Sequence, residues 1–330
     1  RVPAMLETGR QALERRLLRR WFAPSGQPRD WLERLALEPL SRLVESVATR
    51  RRRRIPRLAP DSSPAVVVVG NLVAGGAGKT PLVIELARAL TDRGWPVGIL
   101  ARGHRAALSE ARLVSAGDDP RQQGDEPVLL ARETGLPVAC GVDRGQALAL
   151  LRRRHPEIKV VISDDGLQHG RLPRTLELAV FDERGAGNRR VLPAGPLREP
   201  LAHLAGMDAV LIRDHTAWPP SLAGVTPASR VFHFTVQPVG FVALREPGKV
   251  MPVETFRART AGRTVHALAG IAQPHRFFDS LRECGVLAQT TRALSDHAPA
   301  RASLLPAGAE LIVMTAKDAV KFAGLADARC

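Results

Sequence analysis

The stretch Pro64–Pro81, PAVVVVGNLVAGGAGKTP, decides the fold. Its consecutive valines, Val66–Val69, are β-branched and lack polar alternation, the pattern of a parallel strand buried on both faces. A glycine-rich turn follows, then Gly78-Lys79-Thr80, then a helical period through Leu82, Leu86 and Leu90. Strand, phosphate loop and helix in that order can cradle a nucleoside triphosphate such as ATP. Gly75, Gly76, Ala77 and Gly78 let backbone N–H groups approach the phosphates, and the helix N-terminus adds partial positive charge. Lys79 then reaches the β/γ-phosphates and the Thr80 hydroxyl meets Mg²⁺. The common loop pattern has glycine where Val73 stands, so the core Gly75–Thr80 resembles a GGxGK[ST] variant. Pro81 is compatible with a first helical turn, whose N–H groups have no intrahelical partner.

Outward from this loop, apolar runs alternate with helical periods. Val97–Leu100, Pro137–Cys140, Val160–Ser163, Leu176–Phe181 and Ala209–Ile212 read as strands, with helices over Pro127–Thr134 and Arg144–Arg154. The alternation predicts an α/β fold with a phosphate-loop-type parallel sheet covered on both faces. Val231–Leu244 reads as an extended linker or hairpin, and a smaller α/β unit follows with strand Val265–Ala269, helix Arg276–Cys284 and strand Glu310–Met314. The expected organisation is a basic helical arm over 1–55, a phosphate-loop domain over 56–230, an extended linker over 231–250 and a second α/β domain over 251–330.

The chain carries 48 Lys and Arg against 33 Asp and Glu, a formal charge of +15, which calls for an acidic partner. Stacking aromatics are scarce and no DNA-binding motif is visible, which argues against nucleic acid. Scattered Cys140, Cys284 and Cys330 have no metal spacing and suit a reducing compartment. No apolar run is long enough to span a bilayer, and no secretory apolar region stands near the start. Leu32, Leu35, Ala36, Leu40, Leu43, Val44 and Val47 share one helical face; Trp21, Phe22 and Trp31 precede it and the run Arg50–Arg54 follows. That pattern suits a helix lying in an anionic membrane interface; the alternative is a helix packed on its own domain or closing a groove over a lipid-like substrate.

Val160–Ser163 runs into Asp164-Asp165, paired carboxylates placed to organise Mg²⁺ at the end of a parallel strand. Gly124-Asp125-Glu126-Pro127 reads either as a helix cap or as a general base, Asp125, able to accept a hydroxyl proton. Arg198 in the stiff loop Pro193–Pro200 either neutralises a phosphate or forms a structural ion pair. Nothing local decides Asp296-His297.

Together and in this order, GNLVAGGAGKTP, GDEP, ISDDGLQHGRL, LPAGPLREP, ALAGIAQPHRFF and MTAKDAVK resemble the tetraacyldisaccharide 4'-kinase family of lipid A biosynthesis, over roughly residues 20–322. The resemblance implies ATP- and Mg²⁺-dependent phosphorylation of the 4'-hydroxyl of a tetraacyldisaccharide 1-phosphate, giving lipid IVA. It implies two α/β/α domains joined by a β-strand linker, and an N-terminal helix that contacts lipid at the cytoplasmic face of the inner membrane, as a peripheral protein without an obligate protein partner. It makes Asp125 the base, His297 its assistant, Asp164 and Asp165 the organisers of Mg²⁺, and Arg198 a group near the reacting phosphates. The chain departs from the family's usual wording at Arg102-Gly103-His104-Arg105, Ala272-Gln273, Ala316 and Ala298-Pro299. The rival reading is a phosphate-loop GTPase or ATPase of the metallochaperone or partitioning type; its guanine-reading N-K-x-D motif is missing, since Thr315-Ala316-Lys317-Asp318 does not supply it.

Overall fold

The computed structural model describes residues 16–23, 31–103, 110–213, 219–246, 248–295, 300–306, 308–325 and 329–330. His104, Arg105, Asp296 and His297 fall outside that set, as do the side chains of residues 31–36. The chain divides into two compact units. The first takes the described residues up to Lys79 together with Lys159–Thr235; the second takes Thr80–Ile158 together with Val236–Cys330.

The first unit is built on parallel strands in the spatial order Val160–Asp164, Ala65–Gly70, Leu176–Phe181, Ala209–Arg213 and Val231–Phe234. Val66–Val69 and Val160–Ile162 are buried, as the unbroken apolar runs require; each such side chain contributes roughly 1.5–3 kcal/mol. The register pairs Val69 with Asp164, so the phosphate loop and the acidic pair leave the sheet at the same edge. Val231–Phe234 joins the sheet as its last strand in this unit rather than running free. It is only partly covered: Val231 and Phe234 are half-buried while Phe232 and His233 are exposed.

The arm helix spans Trp31–Arg52, longer than the apolar period suggested. It docks through its polar side. Ser41 Oγ donates to the Val191 carbonyl at 2.8 Å and accepts from the Ala194 N–H at 3.0 Å. Glu38 pairs with Arg190, and Arg52 Nη2 meets Glu177 Oε2 at 2.6 Å. Leu40, Leu43, Val44 and Val47 share the other side and are exposed. Ahead of the helix, Trp21 Nε1 donates to the Pro193 carbonyl at 3.2 Å, and the Arg184 guanidinium lies 4.8 Å from the Phe22 ring centre.

In the second unit, Val97–Ala101 and Val138–Cys140 pair in parallel, and Arg112–Val114 runs antiparallel to the latter. Helix Arg144–Arg154 starts at Asp143, whose carboxylate accepts from Gly145 N at 2.8 Å. A smaller parallel sheet orders Thr290–Ala293, Val265–Ala269 and Leu311–Met314. Val265, Ala267, Leu281, Val286 and Val313 form its core, with Phe241 stacked on Phe256 at a centroid distance of 3.8 Å. Phe241–Val242 and Val250–Met251 make a short antiparallel pair.

Candidate active site

In the first unit, three of the residues singled out above converge. Lys79 Nζ lies 3.3 Å from Asp165 Oδ1, and Arg198 Nη1 donates to both Asp165 oxygens at 3.1 Å. Asp165 adopts φ 51°, a left-handed backbone that an aspartate tolerates better than most residues and that recurs where function sets the geometry. The following Gly166 leaves no room for a side chain without a shift, because a Cβ there would meet Ser163 Oγ at 2.6 Å and Val68 Cγ1 at 3.0 Å. Burial alone raises the Asp165 carboxyl, but the charges and hydrogen bonds of Lys79 and Arg198 outweigh it and hold it at about 2.

A ring of amides fixes these cations. Asn71 Oδ1 accepts from Lys79 Nζ at 2.9 Å, while Asn71 Nδ2 donates to the carbonyls of Val73 at 2.6 Å and Gly75 at 3.0 Å. Gln168 Nε2 donates to the Asn71 carbonyl at 3.2 Å, and Gln168 Oε1 accepts from Arg198 Nη1 at 3.3 Å. The backbones interlock too. Ala74 N donates to the Pro196 carbonyl at 2.8 Å and Arg198 N to the Leu72 carbonyl at 2.6 Å, so the stiff proline loop is laid along the phosphate loop. Of the two alternatives its sequence left open, Arg198 makes the ion pair, with Asp165, from a loop laid along the phosphate loop. Gly78 has φ 78°, and a Cβ there would meet the Arg213 side chain at 2.7 Å, which adds another cation to the loop.

Asp125 sits in the second unit as the first residue of helix Asp125–Thr134, with Gly124 in the capping position. It is 7% exposed, and its Oδ1 accepts from Glu126 N at 3.1 Å. Lys317 Nζ lies 4.0 Å from Asp125 Oδ2 and 3.0 Å from Glu126 Oε1. A helix N-terminus and an ammonium group both complement a carboxylate at this place. Asp318, the last residue of Thr315–Asp318, is fully buried and accepts from Gly270 N at 2.8 Å, with Lys321 at 2.6 Å. It ties the Gly270 turn to the helix Ala316–Phe322. His297 lies outside the described residues, and Thr80 follows Lys79 into the helix Lys79–Asp92.

The family model described as tetraacyldisaccharide-1-P 4'-kinase matches residues 33–330. The chain belongs to this family. It is 43% identical to a tetraacyldisaccharide 4'-kinase of Dechloromonas aromatica, over 95% of this chain and 90% of that protein. It is 42% identical to one of Bordetella parapertussis, over 96% and 90%. Among solved structures, it is similar to the LpxK of Aquifex aeolicus, described as an "apo" form in complex with ATP: TM-score 0.69 at 26% identity, covering 87% of this chain and 89% of that one. These likenesses bear out the kinase expectation and the phosphate-loop α/β fold, and they do not favour the GTPase rival.

The kinase's residues fit a nucleoside triphosphate and its metal. The loop offers positive-φ glycines, a helix start and the cations Lys79 and Arg213, the equipment for a polyphosphate. Among the described residues no group of three or more His, Cys, Asp or Glu could form a protein cage for a metal. Mg²⁺ held against phosphates needs only one or two protein carboxylates, and the first unit offers that chemistry in the buried Asp164 and in Asp165. Sequence reasoning missed Asn71, Gln168, Arg213 and Lys317. Asn71, Gln168 and Lys317 stand inside the motifs given above, yet nothing in residue order told which side chain faces which.

Proposed function

We infer that this chain transfers the γ-phosphoryl group of ATP to the 4'-hydroxyl of a tetraacyldisaccharide 1-phosphate precursor of lipid A. The observation that carries this reading is the convergence of Lys79 and Arg198 on Asp165, at the edge where the phosphate loop leaves the sheet. Phosphoryl transfer demands positioning and charge stabilisation above all, and two fixed cations with a row of backbone N–H groups supply both. Asp165 keeps the cations together before they engage phosphate. Asp125 accepts the hydroxyl proton, oriented by its helix start and by Lys317. His297 assists that proton transfer. Thr80, Asp164 and Asp165 hold Mg²⁺, which when bound neutralises charge on the phosphates.

The arm, residues 1–55, brings the enzyme to its lipid. An exposed row of Leu40, Leu43, Val44 and Val47 beside the exposed Arg50, Arg51, Arg53 and Arg54 suits peripheral binding to the anionic cytoplasmic face of the inner membrane. No helix among the described residues is long and apolar enough to cross a membrane. The test is transfer of labelled γ-phosphate to a detergent-dispersed lipid A disaccharide precursor, set against nucleotide hydrolysis without lipid. Label must appear on the lipid; hydrolysis without transfer would overturn the reading.

A further inference from the structure

The arm helix is wired to the phosphate-side cations, and one carboxylate is the junction. Glu199 is 4% exposed and stands next to Arg198 in the chain. Its Oε1 accepts from Gln168 Nε2 at 2.7 Å. Its Oε2 lies 2.9 Å from His203 Nδ1 and 3.7 Å from Arg52 Nη1. His203 Nε2 in turn lies 3.4 Å from Thr49 Oγ1, so the helix holds Glu199 both directly and through the imidazole.

This arrangement dictates which way the Gln168 amide points. A carboxylate only accepts hydrogen bonds, so the NH₂ end of Gln168 must face Glu199. The Asn71 carbonyl at 3.2 Å makes the same demand. The carbonyl end is thereby left for Arg198 at 3.3 Å. If the amide turned over, it would aim N–H donors at a guanidinium and push it from its place.

We propose that Glu199 and Arg52 are positioning residues for phosphoryl transfer: the docked arm helix holds Glu199, Glu199 orients Gln168, and Gln168 seats Arg198 against Asp165. The arm then serves kcat as well as lipid capture. This rests on the phosphate-side role of Arg198 given above. Misplacing a charge-stabilising group by about 1 Å costs up to ~10²-fold in rate, which sets the scale of the expected losses.

The fold tolerates the perturbation. Without Arg52, Glu177 keeps Arg174 at 2.7 Å and Arg57 at 2.7 Å, so no buried carboxylate is stranded. The experiment measures kcat and both KM values in detergent for the full chain, with Arg52→Gln, Arg52→Lys, Glu199→Gln and Arg198→Lys, and with thermal melting of each. Expected is a fall in kcat of about 10–100-fold for Glu199→Gln and Arg52→Gln, with the KM for lipid within a few-fold and partial recovery in Arg52→Lys. In the double variant Arg52→Gln/Arg198→Lys the losses must not multiply, because both act through one guanidinium. Unchanged kcat in a folded Arg52→Gln protein, a loss confined to the lipid KM, or fully multiplicative losses would each overturn the proposal. Should Glu199→Gln fail to fold, Arg52→Gln and Arg52→Lys still decide it. If Arg198→Lys alone keeps full kcat, the phosphate-side role of Arg198 falls; if it loses kcat while the Arg52 variants do not, only the positioning proposal falls.

Discussion

Replacing Leu40 and Leu43 by glutamine together should release the protein from anionic vesicles while leaving its fold untouched. Leu40 is 51% and Leu43 62% exposed, so about half of each side chain is available to be covered by lipid. Full burial of a leucine contributes roughly 1.5–3 kcal/mol, so the remaining half is worth about 0.75–1.5 kcal/mol each and about 1.5–3 kcal/mol for the pair. At 1.4 kcal/mol per tenfold, vesicle affinity should fall about 10–100-fold. Glutamine matches leucine in helix propensity, and the docking contacts of Ser41, Thr49 and Arg52 lie on the other side of the helix. The melting temperature should therefore stay within a degree or two of the parent's. Flotation with vesicles containing anionic lipid, at low and high salt, reads the partition directly. The apparent KM for lipid presented in vesicles should rise, while kcat at saturating detergent-dispersed lipid stays level because Arg52 keeps its place. Unchanged flotation would put membrane contact elsewhere, and a large drop in melting temperature would mean that the row is covered by protein.

Lys79→Ala should lower kcat by about 10²–10³-fold, the usual loss for one preorganised charge donor, in a protein that still melts cooperatively; near-normal turnover would remove the phosphate-loop assignment. Asp125→Asn should reduce kcat by about 10²–10⁴-fold with little change in the KM for ATP, and a loss of ATP affinity alone would move Asp125 to a structural role. Asp165 gives a pH signature. Its carboxyl is held at about 2 against 3.8 for the free group, so its stabilisation is complete above pH 3.8 and is lost as pH falls through 2. The shift from 3.8 to about 2 corresponds to at most about 2.4 kcal/mol, reduced because the side chain is 26% exposed. Melting curves of the parent and Asp165→Asn should differ at pH 6 and converge toward pH 2; a constant gap would show that the ion cluster contributes nothing.

The parallel sheet and its phosphate loop were legible because burial on both faces writes itself as an uninterrupted run, and Val66–Val69 needs no partner to be read. The strand Arg112–Val114 left no such mark. It is three residues long, half solvated and antiparallel, and its pattern is too short to carry a period. The candidate site was legible in part. Lys79, Asp165 and Arg198 stood in motifs whose chemistry was plain, but that they form one cluster follows from the strand register and from the loop Pro193–Pro200 lying along the phosphate loop. Lys317 was invisible as a partner of Asp125 and Glu126 because nearly 200 residues separate them, 191 in the bond to Glu126. Sequence order records local periodicity well and long-range pairing hardly at all.

The arm shows the same limit in its charges. The run Arg50–Arg54 reads as one basic block, yet a helix turns about 100° per residue and cannot present all of it to one environment. Glu38, Ser41, Thr49 and Arg52 fall on the side that docks, so Arg52 is drawn inward to Glu177 and its side chain is 16% exposed. Its neighbours Arg50, Arg51, Arg53 and Arg54 stay in solvent. Arg57 and Arg174 are likewise spent on Glu177 and Asp208. The count of arginines is thus an unreliable guide to surface cations, since Arg174 is an internal staple buried with Glu177, while Arg57 bridges the same acid from the surface. Over residues 37–52 the helix is amphipathic in the reverse of the usual sense, with Ser41 and Arg52 toward the protein and Leu40, Leu43, Val44 and Val47 exposed. A helix stabilised only by its own domain would bury its leucines; this one hydrogen-bonds inward and leaves Leu40 and Leu43 exposed, and the membrane contact proposed above would cover them.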